Sequence, residues 1–406
     1  MSTLTGVGRS TRRDAREAGR EAALQACAPL GGASPDLLIV FATSAYHPGD
    51  LLGALQLAAP GAAITGCSGE GIIAQGESDE SERSLGVMAL HSDTLRFESF
   101  LVRGYSADPR EAGAELARRV NAVAREDSFA LLLFPDGLMG NCAALLEGLM
   151  PGIPARIRVA GGTAGDSLTF EHTWQFHNGE ATHDGVAALL LSGPGRLDVA
   201  VSHGCVPIGL ERRVTNASDG WVREIDGEAA WSVFRQYLEG EPEELNSEGS
   251  IHLSVGEPAP PDAAGEYEPF IIRTPMGLDK ATGALFFPGG GIAQGGAVRM
   301  TRRDPLLVRE SARACSERIA QRNTGHSPVM VLQFDCAGRG KQLFGSRTAE
   351  SIVSPLQEVL GRDTAWLGFH SYGEIAPVGS HTFFHNFTVA LCALYEHASP
   401  ADDARA

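Results

Sequence analysis

The chain of 406 residues carries 33 Lys and Arg against 50 Asp and Glu, a formal charge of −17, with 43% hydrophobic and 20% charged residues. That excess of acid repels phosphate backbones, and the longest purely apolar runs, such as residues 186–191, fall far short of a bilayer span, so nucleic acid and membrane insertion are excluded as expectations. Seven cysteines, at 27, 67, 142, 205, 315, 336 and 392, are odd in number and contain no C-x-x-C pair, which argues against a disulfide framework or a structural zinc site.

Arg9, Arg12 and Arg13 precede an Ala- and Glu-containing helical pattern over residues 10–27 rather than an apolar segment, so a secretory signal is not expected and a cytoplasmic location is. An apolar strand at 37–41 follows, then a short helix at 49–58, a Gly-rich turn at 66–71 and a strand at 85–90. The order then recurs. A helix over 109–125, with Asp108 as N-cap and Pro109 at its first position, leads to a strand at 130–134, a loop at 135–141, a helix through Met150, a turn at 161–166 and a strand at 186–191.

A different region spans 196–303. It contains a helix at 227–238, a Pro- and acid-rich stretch at 239–268 with a loop or linker at 256–265, and hairpins through Arg299. The third recurrence then runs through a helix at 305–322, a strand at 329–334, a loop at 335–340, a helix at 348–360, a turn at 368–374 and a strand at 387–393. Strands of five or six apolar residues alternating with helices predict an α/β fold, a layered sandwich of internally repeated helix/strand/helix/strand units in two modules. The expected divisions are an N-terminal helix at 1–35, modules at 36–195 and 196–395, and a disordered tail at 396–406.

Catalytic motifs fail on inspection. Gly66-Cys-Ser-Gly-Glu70 has Glu where a nucleophile elbow needs its final Gly, and Phe369-His-Ser-Tyr-Gly373 lacks the first. Residues 289–296 are Gly-rich without dinucleotide-binding spacing, and Gly338-Arg-Gly-Lys341 is followed by Gln342, so it lacks the magnesium ligand of a P-loop. Cys67 is weighed as the nucleophile of a thiol-dependent enzyme and as a packed, inert thiol. Ligands bind α/β sheets beyond the carboxyl ends of strands. The polar residues of the three turns and the loops after the strands (Ser68, Asp136, Asn141, Thr163, Asp166, Tyr372, Glu374) therefore read either as pocket groups or as ordinary turn-formers. His370, His381, His385 and Asn386 add to the last cluster.

The runs Ala63-Ile-Thr-Gly-Cys-Ser-Gly-Glu-Gly-Ile72 and Ala160-Gly-Gly-Thr-Ala-Gly-Asp166 resemble elements of the FIST N-terminal module. Val206-Pro-Ile-Gly209, Val214-Thr215 and Glu224-Ile-Asp-Gly227 with Ala230 resemble the junction into its C-terminal partner. Leu367-Gly-Phe-His-Ser-Tyr-Gly-Glu-Ile-Ala-Pro377 with His385-Asn386 resembles that module's closing signature. The first turn departs from the family pattern in its Gly69-Glu70-Gly71 order. The resemblance implies a non-catalytic input module of bacterial signal transduction that binds a small ligand such as an amino acid. Its stand-alone form would act through a separate histidine kinase or cyclic-di-GMP enzyme. With the pocket expected where the repeated turns converge, the ligand site is assigned to Cys67, Ser68, Asn141, Gly162, Thr163, Asp166, Tyr372, Gly373, Glu374 and Asn386. Some stand-alone members sense nitric oxide with haem, which would make His177, then His203 or His183, the iron ligand.

Overall fold

The computed structural model describes residues 3–238, 243, 245, 253–290 and 292–396. Segment 1–35 opens with a strand rather than a helix, β1 (Leu4–Ser10), and its helix α1 starts only at Ala15 (Ala15–Cys27), capped by Asp14. The strand was hidden because its core positions are glycines. A Cβ on Gly8 would sit 2.0 Å from the Ala22 carbonyl of α1, whose buried stripe is Ala18, Ala22, Ala23 and Ala26, so helix and strand lie almost in backbone contact.

The first repeat continues with β2 (Leu37–Thr43), α2 (Pro48–Ala58), β3 (Ala63–Gly69), the hairpin β4 (Ile72–Ala74) and β5 (Glu77–Asp79), and β6 (Leu85–His91). The second has β7 (Arg96–Arg103), α3 (Pro109–Val123), β8 (Ser128–Pro135), α4 (Cys142–Leu149), β9 (Arg158–Gly162), the hairpin β10 (Gln175–His177) and β11 (Glu180–Thr182), and β12 (Gly185–Ser192). The third opens with β13 (Gly195–Ser202) and is interrupted by an insertion. This comprises β14 (Cys205–Ser218), β15 (Trp221–Ile225), β16 (Glu228–Ala229), α5 (Ala230–Arg235), β17 (Leu253–Pro258), β18 (Phe270–Arg273), β19 (Gly277–Asp279), β20 (Ala284–Phe286) and β21 (Ala297–Arg303). It resumes with α6 (Pro305–Arg322), β22 (Met330–Cys336), three short helices, β23 (Ala365–Ser371), the hairpin β24 (Glu374–Val378) and β25 (His381–His385), and β26 (Val389–Glu396).

In each repeat the first two central strands are parallel and the last returns antiparallel: β2 with β3 and β6, β8 with β9 and β12, β22 with β23 and β26. The three six-stranded sheets have one order, and each is completed by a hairpin from another repeat. Hairpin β10–β11 extends the first sheet, β24–β25 the second and β4–β5 the third, so the exchange closes in a ring. Inner faces of all three sheets form one core, and helices cover each outer face, which is why the central strands read as continuous apolar runs.

The supposed Gly-rich turns are instead the carboxyl halves of strands β3 and β23 and the end of β9. Glycine is required there by close approach. A Cβ on Gly66, Gly161 or Gly368 would meet the carbonyl oxygen of Val40, Leu133 or Gln333 at 1.8, 2.0 and 2.0 Å. Four further expectations change. The helix at 227–238 shrinks to α5, and the linker at 256–265 begins inside β17. The helix at 348–360 breaks at Val353 into Thr348–Ile352 and Ser354–Leu360, because Pro355 removes a backbone donor. Glu396 belongs to β26 rather than the tail, its carboxylate accepting from Thr3 N, Thr3 Oγ1 and Thr94 Oγ1; the rest of that tail lies outside the described residues, as do 239–242, 244 and 246–252 of the acid-rich stretch.

Candidate functional site

The three repeats meet at Phe41, Phe134 and Phe334, the corresponding residues of β2, β8 and β22. Their ring centroids form a triangle of 5.4, 6.2 and 6.0 Å sides, with Phe369 of β23 packed 4.6 Å from Phe41. Beyond this triangle the ends of β3, β9 and β23 are laced by a closed ring of backbone hydrogen bonds. Gly165 N donates to Ser68 O at 3.0 Å, Tyr372 N to Thr163 O at 3.2 Å and Glu70 N to His370 O at 2.9 Å. The carboxyl ends of three sheets therefore converge on one pseudo-threefold axis.

At this axis the repeats differ in one respect. Two residues link strand to hairpin in the first repeat (Glu70, Gly71) and the third (Tyr372, Gly373), whereas residues 163–174 do so in the second. The longer segment folds over Tyr372. Its hub is Asp166, whose carboxylate accepts from Thr169 Oγ1, Phe170 N, Glu171 N and His172 N at 2.7–3.1 Å and from the Tyr372 hydroxyl at 2.6 Å. Burial raises the Asp166 pKa, but the Tyr372 bond and then the Thr169 and backbone bonds outweigh it and hold this carboxyl below its ordinary value. Tyr372 also accepts from Leu168 N at 2.8 Å and stacks on Phe170, centroids 5.5 Å apart.

Ser68 fastens both ends of the loop. Its hydroxyl donates to Gly165 O at 2.7 Å and accepts from Trp174 N at 2.9 Å. Ser167, Leu168 and Phe170 all have φ between 55° and 60°, a conformation unfavourable for side chains of their size, so the loop is a strained element held by a few polar contacts.

Glu70 faces this loop. Its carboxyl lies 3.5 Å from the Tyr372 hydroxyl, and burial, then the charges of Glu80 and Asp166, raise its pKa to about 8. His370, fully buried, touches Ser78 Oγ at 2.8 Å and Glu80 Oε1 at 3.7 Å through Nε2, and its Nδ1 has no partner. The cluster is thus rich in carboxylates, with one kept protonated near neutral pH and one buried imidazole nitrogen unused.

Glu374 lies on the far side of the same turn. It accepts from Ser371 Oγ at 2.5 Å and from Thr388 N and Oγ1 at 3.1 and 2.6 Å, and burial raises its pKa to about 8. Both Glu70 and Glu374 hold protons in the fold that their unfolded forms release near pH 4.5. Between pH 4.5 and 8 the native state therefore binds more protons, so stability falls as pH rises through that window, by at most about 1.4 kcal/mol per unit per group. Urea unfolding of a Glu70→Gln, Glu374→Gln variant is expected to lose less stability than the parent between pH 5.5 and 8. Parallel curves would contradict these raised values.

The axis thus gathers Ser68, Thr163, Asp166 and Tyr372 from the predicted set, with Gly162 and Gly373 as the close-packed backbone beneath; a Cβ on Gly373 would lie 2.2 Å from Phe384. Three others belong elsewhere. Cys67 is fully buried among the core aromatics, and burial, then Asp136, lifts its thiol well above the ordinary value, the environment of a packed thiol rather than of an activated one. Asn141 is the N-cap of α4, accepting from Ala144 N at 3.0 Å. Asn386 joins the insertion, accepting from Thr274 N at 3.2 Å. Glu70 and Glu80 were missed as site residues; the legible signal was that Glu70 and Tyr372 occupy the same place after their strands.

The haem expectation does not fit the residues present. His177 on β10 has both ring nitrogens engaged, Nδ1 with Ser99 Oγ at 2.8 Å and Nε2 with Asn178 at 3.3 Å. The adjoining groove of about 700 Å³ mixes Phe100, Leu101 and Val102 with the charged Arg103, Glu115 and Arg119, and so is not the apolar slot a porphyrin needs. In His203, Nδ1 accepts from Cys205 N and Nε2 donates to Phe270 O; His183 packs at a tilt against Trp174, centroids 3.6 Å apart, with Nδ1 2.9 Å from Thr173 O. Among the described residues, no three His, Cys, Asp or Glu side chains are grouped to hold a metal ion, and no helix is long and apolar enough to cross a membrane.

A family model of the FIST N domain matches residues 36–228 and one of the FIST C domain residues 230–377. An uncharacterized protein of Mycobacterium tuberculosis (strain H37Rv) is 30% identical over 401 residues, 95% of this chain and 98% of its own. One of Mycobacterium bovis is 30% identical over 402 residues, 95% and 97%. A chorismatase crystal structure aligns over 97% of this chain and 99% of its own at 11% identity and a TM-score of 0.36, too loose a likeness to bear on activity.

Proposed function

This chain belongs to the FIST family, whose domains are small-ligand sensory domains, and from that premise we propose that it is a non-catalytic sensor whose ligand is received at the pseudo-threefold axis. The observation that carries the reading is the strained loop 166–173, fastened over Tyr372 and the raised-pKa carboxyl of Glu70 by a handful of polar contacts. Glu80 and Asp166 make the site acidic, and the carboxyl of Glu70 can release its proton to a bound cation, which favours a ligand bearing an ammonium group, such as an amino acid or similar small amine. Displacing the Tyr372 hydroxyl from Asp166 and Leu168 would release the loop, giving the two conformations that a sensor requires. A coupling of about 1 to 3 kcal/mol suffices for a useful signal. In this reading the protein works in the cytoplasm and signals to a separate output protein, a histidine kinase or a cyclic-di-GMP enzyme.

The test is a thermal-shift panel of the standard amino acids and small amines at fixed pH and ionic strength. At least one amine-bearing compound is expected to raise Tm saturably in the parent protein. In Tyr372→Phe, where the bonds that binding must break are already absent, the same compound is expected to bind about tenfold more tightly, equivalent to about 1.4 kcal/mol. Equal binding to both proteins would reject the site.

A further inference from the structure

The insertion and the third repeat meet around a second buried polar cluster, which the sensory site does not use. Arg303, the last residue of β21, is 7% exposed, and none of its three guanidinium nitrogens has a hydrogen-bond partner among the described residues. Its guanidinium lies over the Phe387 ring, 4.5 Å from the centroid, and across the β14–β21 ladder it pairs with Cys205. Gly338 approaches it from the third repeat: a Cβ there would be 3.3 Å from Arg303 Nη1.

The next residue, Arg339, is fully buried. Its Nε donates to Asp335 Oδ1 at 2.8 Å and its Nη1 to His203 O at 3.0 Å, but its Nη2 has no partner. Direct pairing is therefore uneven. Asp335 neutralises Arg339, while Arg303 has no carboxylate within ion-pair distance among the described residues. Glu268 is the nearby candidate, but its Oε1 is committed to Ser202 Oγ and His203 N, and its Oε2 is itself unpartnered. Burial, which disfavours the charged form, lowers the Arg303 pKa to about 10.

Folded proteins do not leave a buried guanidinium with five donors unmet unless something else meets them. A guanidinium presents two parallel N–H groups matched to a carboxylate, and Phe387 beneath it fixes the plane in which they point. We propose that this junction is a small-anion site, in which Arg303 receives the carboxylate of a small organic acid and Arg339 Nη2 supplies an additional donor. Because the insertion contributes Arg303 and the third repeat contributes Arg339 and Phe387, occupancy would tie one to the other.

The probe is acetate, titrated against chloride and inorganic phosphate at constant ionic strength, with thermal unfolding of the full chain as the readout. The parent Tm is expected to rise saturably with acetate beyond the chloride control, and the rise to vanish in Arg303→Met. Arg303→Lys, which keeps the charge but loses the paired donors, is expected to need at least tenfold more acetate, and it carries the test if the Met variant does not fold. An acetate response equal to that of chloride, or one unchanged in Arg303→Met or Arg303→Lys, would overturn the proposal. A saturable response to phosphate but not to acetate would overturn the carboxylate assignment.

Discussion

Asp335→Ala is expected to destabilise the protein by about 3–5 kcal/mol, the cost of leaving one charge of a buried pair uncompensated. Both side chains of the Asp335–Arg339 pair are fully inaccessible and their contact is 2.8 Å. Burial disfavours the charged guanidinium of Arg339, and the Asp335 charge and hydrogen bond outweigh that and hold its pKa above the ordinary value. Removing the carboxylate would also take one of the two acceptors of Gln333 Nε2, which donates to Asp335 Oδ2 and to Ile352 O, each at 2.9 Å. An apolar pair of similar volume, Asp335→Leu with Arg339→Met, is expected to recover most of the loss, because the expense lies in the unpaired charge rather than in the absence of a salt bridge. Urea unfolding of the single and double variants measures both. A single variant within 1 kcal/mol of the parent would mean that water or another anion already solvates Arg339.

Phe134→Ala is expected to cost about 3–5 kcal/mol, through lost transfer energy and the cavity left behind. The site cannot easily collapse. Phe134 is fully buried, and its neighbours Phe41 and Phe334, at 5.4 and 6.0 Å, belong to two other sheets that are fixed by the ring of exchanged hairpins. The same substitution at Phe334 is expected to have a comparable effect, since the two residues occupy equivalent positions. A loss under 1 kcal/mol at Phe134, measured by urea unfolding, would show that the three sheets do not share a packed axis.

The threefold repetition was readable because it is written in apolar runs: residues 37–41, 130–134 and 329–334 each end in, or close upon, the Phe that reaches the axis. What could not be read was how the repeats close. The exchanged hairpins are short and half-polar, as in Glu77–Asp79 and Gln175–His177, and nothing in a three-residue segment names its partner sheet. The Gly-rich segments misled for a related reason. Gly66, Gly161 and Gly368 signal a turn by composition, yet their role is to let one strand lie against the carbonyls of the next. At the site, Ser68, Thr163, Asp166 and Tyr372 were legible as polar residues after strands, whereas Cys67 and Asn141 shared that pattern and proved to be core and helix cap. Glu70 was singled out by its motif but not assigned to the site, because its raised pKa comes from burial and then the charges of Glu80 and Asp166, a property of assembly rather than of spacing.

The most direct test of the sensory account is amide hydrogen exchange of residues 167–172, with and without the amine-bearing compound that most raises Tm. Leu168, Phe170, Glu171 and His172 donate their amides to Tyr372 or Asp166 in the closed loop, so each reports its opening. The account expects the compound to change protection at these amides at least tenfold, while those of the central strands, such as β2 and β22, stay unchanged. Unaltered protection of this loop under saturating compound, with changes elsewhere in the chain, would contradict it.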